Sequence, residues 1–124
     1  MARILIIEDE PQMRHMVEQL LTRAGHEVLS ASDGRSGMDL YHEQLPDLVI
    51  TDILMPEVDG LEIIRSLKRE FPHLKIIAMS GGGETGKLQY LPEAREFGAD
   101  IALSKPFDPA LLTAEVERLL AAGD

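Results

Sequence analysis

The sequence predicts a doubly wound α/β domain with a parallel sheet. Five short apolar runs alternate with five longer segments that have helical spacing. Three of the runs are rich in β-branched residues and apolar at successive positions, as is typical of strands buried on both faces. A length of 124 residues suits one domain, and we assign it to residues 1–124. The predicted strands are Ile4–Ile7, Val28–Ser30, Leu48–Thr51, Ile76–Met79 and Ile101–Leu103.

The first two predicted helices differ in the strength of their apolar pattern. Six apolar residues recur at helical spacing after the first strand: Met13, Met16, Val17, Leu20, Leu21 and Ala24. Pro11 suits the first turn of this helix and Gly25 suits its carboxyl-terminal cap. Ser36–Leu45 follows a weaker pattern that also predicts a helix.

A proline bears on each of the last three predicted helices. The third carries apolar residues from Leu61 to Phe71, and Pro72 ends it. The fourth lies between Lys87 and Phe97, where Pro92 predicts either a late start or a kink. In the last helix, Asp108 is the expected N-cap and Pro109 the first residue.

Composition and charge exclude several classes of function. Twelve Lys and Arg against 22 Asp and Glu give a net charge of −10, which repels phosphate backbones and anionic lipid. The absence of cysteine excludes disulfides, thiolate zinc sites and Cys nucleophiles. Apolar runs are too short to span a bilayer, and the amino terminus leads directly into a strand. We therefore expect a cytoplasmic domain without a signal peptide that binds neither nucleic acid nor membrane.

Carboxylates, a hydroxyl and an ammonium group follow the predicted strands. Glu8 and Asp9 follow the first strand, Asp52 the third, Ser80 the fourth and Lys105 the fifth. In such sheets the ligand site lies beyond the carboxyl ends of the strands. Carboxylates about 4 Å apart repel by roughly 4 kcal/mol per pair, and Mg²⁺ with oxygen ligands relieves this best. The sequence therefore predicts a magnesium-dependent phosphoryl site in which Asp52 is the nucleophile.

Four motifs at these strand ends match a known family. They are Ile6-Ile7-Glu8-Asp9-Glu10, the run 46–56 followed by Asp59-Gly60, Met79-Ser80-Gly81, and Ser104-Lys105-Pro106-Phe107. Over its whole length the chain resembles the receiver domain of bacterial response regulators, of the chemotaxis type. The resemblance implies a flavodoxin-like fold, with five helices around a parallel sheet of strand order 2-1-3-4-5.

The resemblance also implies a role for each site residue. Asp52 would accept a phosphoryl group from the phosphohistidine of a histidine kinase or phosphotransfer protein. Mg²⁺ would bind Asp9, Asp52 and the main-chain carbonyl of Leu54 directly, and Glu8 mainly through water. Ser80 would be the switch hydroxyl and Lys105 the active-site lysine, aimed at Asp52 by a cis bond to Pro106. Such a protein catalyses only its own phosphorylation and dephosphorylation.

The expected partners of such a receiver are proteins. Besides the kinase, we expect an unidentified downstream protein, and the receiver itself should be a monomer or a weak dimer. Because no output domain follows the last helix, we expect a stand-alone receiver, and the alternative is one domain cut from a longer chain. The glycine-rich segment 81–86 is the expected moving part, with the signal emerging at Lys87, Tyr90 and Glu93. The usual aromatic residue three positions before Lys105 is here Ala102.

Three other functions are alternatives to the receiver. The first alternative is nucleotide hydrolysis, because residues 81–87 match seven positions of a phosphate-binding P-loop. Against it, Leu88 stands where Ser or Thr should hold Mg²⁺. An FMN protein would need a Ser-, Thr- and Gly-rich loop after the first strand, where this chain has acidic residues. The remaining alternative is a degenerate receiver that serves only as a protein-interaction module. The presence of Asp9, Asp52 and Lys105 argues against it.

Overall fold

A five-stranded parallel sheet forms the centre of the domain. The computed structural model describes residues 2–53, 60–80, 95–105 and 107–122. Neighbouring strands pair in parallel, and their order across the sheet is β2-β1-β3-β4-β5. This confirms the doubly wound, flavodoxin-like fold and its strand order. The strands are β1 (Arg3–Ile7), β2 (Glu27–Ala31), β3 (Leu48–Asp52), β4 (Lys75–Ser80) and β5 (Ile101–Ser104).

Four helices have their bounds given within the described residues. They are α1 (Pro11–Arg23), α2 (Gly34–Gln44), α3 (Gly60–Glu70) and α4 (Pro109–Ala122). The additional helix predicted between Lys87 and Phe97 lies mostly outside the described residues, and only 95–97 of it are seen to be helical. Each predicted strand and each of the other predicted helices is present, with ends that differ by one or two residues.

The helix ends follow the capping residues that the sequence offers. Pro11 begins α1, and Gly25 beyond its end has a φ of 97°, which glycine adopts at low cost. The Asp108 carboxylate accepts the Ala110 N–H at 2.9 Å, as expected of the cap of α4. Helix α2 begins at Gly34, earlier than the predicted Ser36, because Asp33 is its N-cap. Leu45 follows it with a left-handed φ of 46°, which the sequence did not predict.

Two apolar layers pack on the two faces of the sheet. Alternate residues of a strand point to opposite faces, so Ile4 and Ile6 pack in one layer while Leu5 and Ile7 pack in the other. The first layer includes side chains of α1 and α4, and the second includes side chains of α2 and α3. Within the described part of the chain, none of the helices has the length and apolar character needed to cross a membrane. Both faces of the sheet are thus covered, and the carboxyl edge of the strands carries the polar residues.

Candidate functional site

The site lies at the carboxyl edge of the sheet, where four strands end close together. Glu8 and Asp9 follow β1, Asp52 ends β3, Ser80 ends β4 and Lys105 follows β5. Glu8, Asp9 and Asp52 each offer one carboxylate oxygen, and these oxygens lie within 4.8 Å of one another. The structure therefore brings together the three carboxylates that the strand order predicted.

Gly60 lets the start of α3 lie against the end of β3. A Cβ atom added at Gly60 would lie 2.2 Å from the Asp52 carbonyl oxygen and 2.5 Å from that of Ile53. The Gly60 N–H donates a hydrogen bond to the Ile53 carbonyl at 2.8 Å, and the Ile53 N–H donates to Met79 at 2.8 Å. Only glycine permits this approach without moving the backbone, so Gly60 lets α3 begin directly against the backbone of Asp52 and Ile53.

The Lys105 ammonium lies between two carboxylates. Its Nζ donates a hydrogen bond to Glu8 Oε1 at 2.6 Å and lies 3.5 Å from Asp52 Oδ2. The Lys105 N–H also donates to the Ser80 carbonyl at 2.6 Å, which continues the pairing of β4 with β5. The sequence predicted that the ammonium would point at Asp52, whereas here its shorter contact is with Glu8.

Burial dominates the electrostatics of the two innermost carboxyls. The Glu8 side chain is fully buried, and Asp52 is 5% exposed. Burial raises the pKa of Asp52 above its ordinary value, and the nearby Asp9 adds to this, while Lys105 acts in the opposite direction. Burial also raises the pKa of Glu8, opposed by its hydrogen bond from Lys105. A negative charge on either carboxyl is therefore energetically unfavourable. Carboxyls perturbed in this way are common at functional sites.

Glu8 is also tied to the beginning of α1, a link that the sequence analysis missed. Its Oε2 accepts the Glu10 N–H at 3.0 Å, and its carbonyl oxygen accepts Arg14 Nη1 at 2.9 Å. Glu10 is the N-cap of α1, and its side chain accepts the Met13 N–H at 2.6 Å. Pro11 at the first helical position already implied that Glu10 would be the cap. The partner of its N–H could not be read from the sequence.

The remaining predicted site residues are placed in part. Ser80 is fully buried at the end of β4, opposite Ser104 of β5. Leu54, predicted as a main-chain metal ligand, and Pro106, predicted to follow a cis bond, lie outside the described residues. The same holds for the glycine-rich segment and for Lys87, Tyr90 and Glu93.

The donor set suits a hard divalent cation. The three carboxylate oxygens lie within 4.8 Å of one another, and no sulfur or imidazole ligand is among them. Mg²⁺ prefers such oxygen ligands and retains several waters. The charge of a cation held among these oxygens, directly or through its waters, would offset their mutual repulsion. The residues that are present therefore fit Mg²⁺.

Comparison with known proteins decides the family. The model of the response regulator receiver domain matches residues 4–117. The chain belongs to this family. Receiver domains are the phosphorelay switches of two-component signalling, and they bind Mg²⁺ at an acidic pocket of this kind.

Individual relatives include both short and long proteins. The chemotaxis protein CheY of Thermotoga maritima is 38% identical over 109 residues, which are 87% of this chain and 88% of that protein. The "Probable transcriptional regulator ycf27" of Galdieria sulphuraria is 36% identical over 95% of this chain but only 45% of its own length. The chain thus spans about half the length of several curated relatives that it matches.

Solved receiver structures have the same fold. A response regulator receiver domain protein of Clostridium thermocellum superposes with a TM-score of 0.90 at 32% identity, covering 98% of this chain and 96% of that one. The receiver domain of NtrX from Brucella abortus gives 0.88 at 31% identity, covering 95% and 98%. These matches extend across the whole sheet and its helices.

Proposed function

We propose that Asp52 of this receiver accepts a phosphoryl group from the phosphohistidine of a histidine kinase or phosphotransfer protein. The observation that carries the proposal is the position of its carboxylate. Asp52 Oδ2 lies at the end of the central strand, 3.5 Å from the Lys105 ammonium and beside the carboxylates of Glu8 and Asp9. An anion that is nearly buried beside one cation and two other carboxylates suits a nucleophile for an electrophilic phosphorus.

The transfer has a simple balance of bonds. A carboxylate oxygen of Asp52 forms a bond to phosphorus while the bond from phosphorus to the imidazole nitrogen breaks, and the imidazole leaves with that electron pair. Lys105 is placed to neutralise charge on the phosphoryl oxygens, because its ammonium already lies beside Asp52. Hydrolysis by water later returns the Asp52 carboxylate and inorganic phosphate. In this proposal the protein transforms no other substrate.

Mg²⁺ is the expected cofactor. Asp9 and Asp52 are the proposed direct ligands with the Leu54 carbonyl, and Glu8 the proposed ligand through water. When bound, the cation supplies charge that favours approach of an anionic phosphoryl donor to these carboxylates. In this chain the Glu8 oxygens already accept hydrogen bonds from Lys105 and Glu10, which supports the indirect role for Glu8.

Ser80 is the proposed switch hydroxyl. It ends the strand next to that of Asp52, and its carbonyl is joined to the Lys105 N–H. Movement of its hydroxyl toward the new phosphoryl oxygens would pass the change to residues that follow β4. Output through an unidentified protein partner in the cytoplasm completes the proposal, and the receiver itself acts as a monomer or weak dimer.

The assignment of Asp52 can be tested by intact mass after incubation with acetyl phosphate and Mg²⁺. We expect one added phosphoryl group on the parent protein and none on Asp52→Asn. Asp39→Asn, at an exposed position of α2, is the matched control and should be phosphorylated like the parent. Equal labelling of Asp52→Asn and the parent would refute the assignment. A parent protein that takes no phosphoryl group from this donor or from a phosphohistidine protein would instead favour the interaction-only alternative.

A further inference from the structure

Glu8 joins the active-site lysine to the start of α1 through a continuous chain of contacts. Lys105 Nζ donates to Glu8 Oε1 at 2.6 Å, and the other oxygen of Glu8 accepts the Glu10 N–H at 3.0 Å. The Glu10 side chain then accepts the Met13 N–H in the first turn of α1 at 2.6 Å. A single buried carboxylate therefore contacts both the residue that senses charge at Asp52 and the residue that caps a helix.

The Glu8 side chain depends on Lys105 because water cannot replace the ammonium. Glu8 is fully buried, and in the described part of the chain Lys105 is the only cation paired with its carboxylate. The ammonium lies 0.9 Å closer to Glu8 than to Asp52, on the distances of 2.6 and 3.5 Å. A buried carboxylate that loses its cation is strongly disfavoured in its original position. Glu8 is thus expected to move when Lys105 leaves.

Phosphorylation at Asp52 would draw Lys105 away from Glu8. At Asp52 the acyl phosphate carries about −1.5 to −2 charges in place of the single charge of the carboxylate, and this is more than the single charge of Glu8. Its oxygens would extend from Asp52, whose Oδ2 is already 3.5 Å from Lys105 Nζ. The Glu8 carboxylate and the phosphoryl group compete for the Lys105 ammonium, and the greater charge of the phosphoryl group favours it.

We propose that Glu8 transmits occupancy of the phosphorylation site to the amino terminus of α1. In the unphosphorylated protein Glu8 holds Lys105 and fixes the Glu10 N–H. Once Lys105 turns to the phosphoryl group, the Glu8 carboxylate reorients, releases the Glu10 N–H and loosens the cap on Met13. Glu8 acts as a positioning residue in this proposal, which rests on the proposed function of Asp52.

The test compares backbone amide exchange at Glu10 and Met13 in three states: without metal, with Mg²⁺, and with Mg²⁺ and beryllofluoride as the phosphoryl analogue. The step from the second state to the third isolates the analogue from the cation. We expect exchange at both amides to accelerate at least about tenfold in that step. Ser36 is the internal control, because its N–H donates to the N-cap Asp33 of α2 at 2.8 Å, and Asp33 is not bonded to Lys105.

Glu8→Gln separates this route from a merely structural role of Glu8. The amide has the same shape and retains an acceptor oxygen, but it has no charge that Lys105 must leave. Because Glu8 is also the proposed Mg²⁺ ligand through water, the variant is compared at Mg²⁺ and beryllofluoride concentrations that saturate its bound fluorine resonance. Under these conditions we expect no acceleration at Glu10 and Met13. Glu8→Asp keeps the charge but is one methylene shorter, and it should show an acceleration between those of the parent and Glu8→Gln.

The possible outcomes distinguish the two levels of the proposal. Bound beryllofluoride with unchanged exchange at Glu10 and Met13 in the parent would refute the route through Glu8 and leave the role of Asp52 intact. Acceleration that persists fully in Glu8→Gln would also refute the route. A parent that binds no beryllofluoride at all would overturn the role of Asp52, and the route with it.

Discussion

Replacing Asp52 with Asn should stabilise the metal-free protein, although the residue is the proposed centre of function. At an effective dielectric of 20, charges within 4.8 Å repel by at least about 3.5 kcal/mol, and Asp52 has two such neighbours, Glu8 and Asp9. The attraction of Lys105 at 3.5 Å offsets about 4.7 kcal/mol of this. Asp9 is partly exposed and therefore screened, so we expect a net gain of about 1 to 2 kcal/mol in the free energy of unfolding.

Urea denaturation in EDTA at neutral pH measures this gain. The raised pKa of Asp52 agrees in sign, because a group that is harder to ionise in the folded protein lowers stability as the pH rises through that pKa. The gain should therefore shrink in acid, where the parent carboxyl is protonated. At a hundredfold excess of Mg²⁺ over its dissociation constant, the parent should gain about 2.7 kcal/mol. The variant, with one ligand fewer, should gain less, so that the difference closes.

The result that would refute this reasoning is an Asp52→Asn protein less stable than the parent in EDTA. Attraction to Lys105 would then outweigh both repulsion and burial. Asp39→Asn on the exposed side of α2 serves as the control for the chemical change itself, and its stability should match that of the parent within about 0.5 kcal/mol. A melting temperature of the parent that does not respond to Mg²⁺ would contradict the metal site independently.

Two further predictions concern the opposite end of the molecule. Hydrogen bonds to Glu70 and to the Met38 carbonyl raise the pKa of His42, so its stabilising effect should be present below the ordinary pKa of histidine and be lost as the pH rises through the folded value. His42→Gln should thus cost about 0.5 kcal/mol at pH about 5.5 and nothing at pH about 8.5 in urea titrations, and a constant cost would contradict the ion pair. Leu45 is 59% exposed at a φ of 46°, so Leu45→Gly should raise the free energy of unfolding by about 1 kcal/mol. The same change at the exposed helical Leu111 should lower it, and a loss at both positions would show that Leu45 is not strained.

The sequence predicted most of the fold because buried strands and helix starts leave local patterns in the sequence, namely apolar runs and capping residues. Runs such as Leu48–Ile50 are apolar at every position, which favours cover on both faces and hence a strand inside a parallel sheet. Pro11 and Asp108 each have a conformational preference strong enough to define a helix start. The strand order came from the resemblance to a family, since no local pattern fixes which strands are neighbours.

The details that the sequence did not predict depend on contacts between distant segments. Leu45 has a left-handed backbone conformation, which is unfavourable for leucine. No local sequence pattern predicts this conformation. The pairing of Lys105 with Glu8 joins residues 97 positions apart in the chain. Sequence alone placed both near Asp52, but it could not decide which of two neighbouring carboxylates the ammonium would contact more closely. The two contacts of the ammonium, 2.6 and 3.5 Å, differ in length by 0.9 Å.

The charges at this site explain how Lys105 can both offset the repulsion among the three carboxylates and respond to a change of charge at Asp52. Glu8, Asp9 and Asp52 carry three negative charges when ionised, and Lys105 returns one, which leaves the metal-free site with an excess of about two. A divalent cation cancels this excess, whereas phosphorylation replaces the single charge of Asp52 with about −1.5 to −2 and so adds up to about one negative charge. Among the described residues that form the site, Lys105 is the one mobile cation that can answer the new charge. In the proposed route it does so by leaving Glu8. The proposed movement of Lys105 would then follow from charge balance, and the start of α1 lies at the other end of the carboxylate that it leaves.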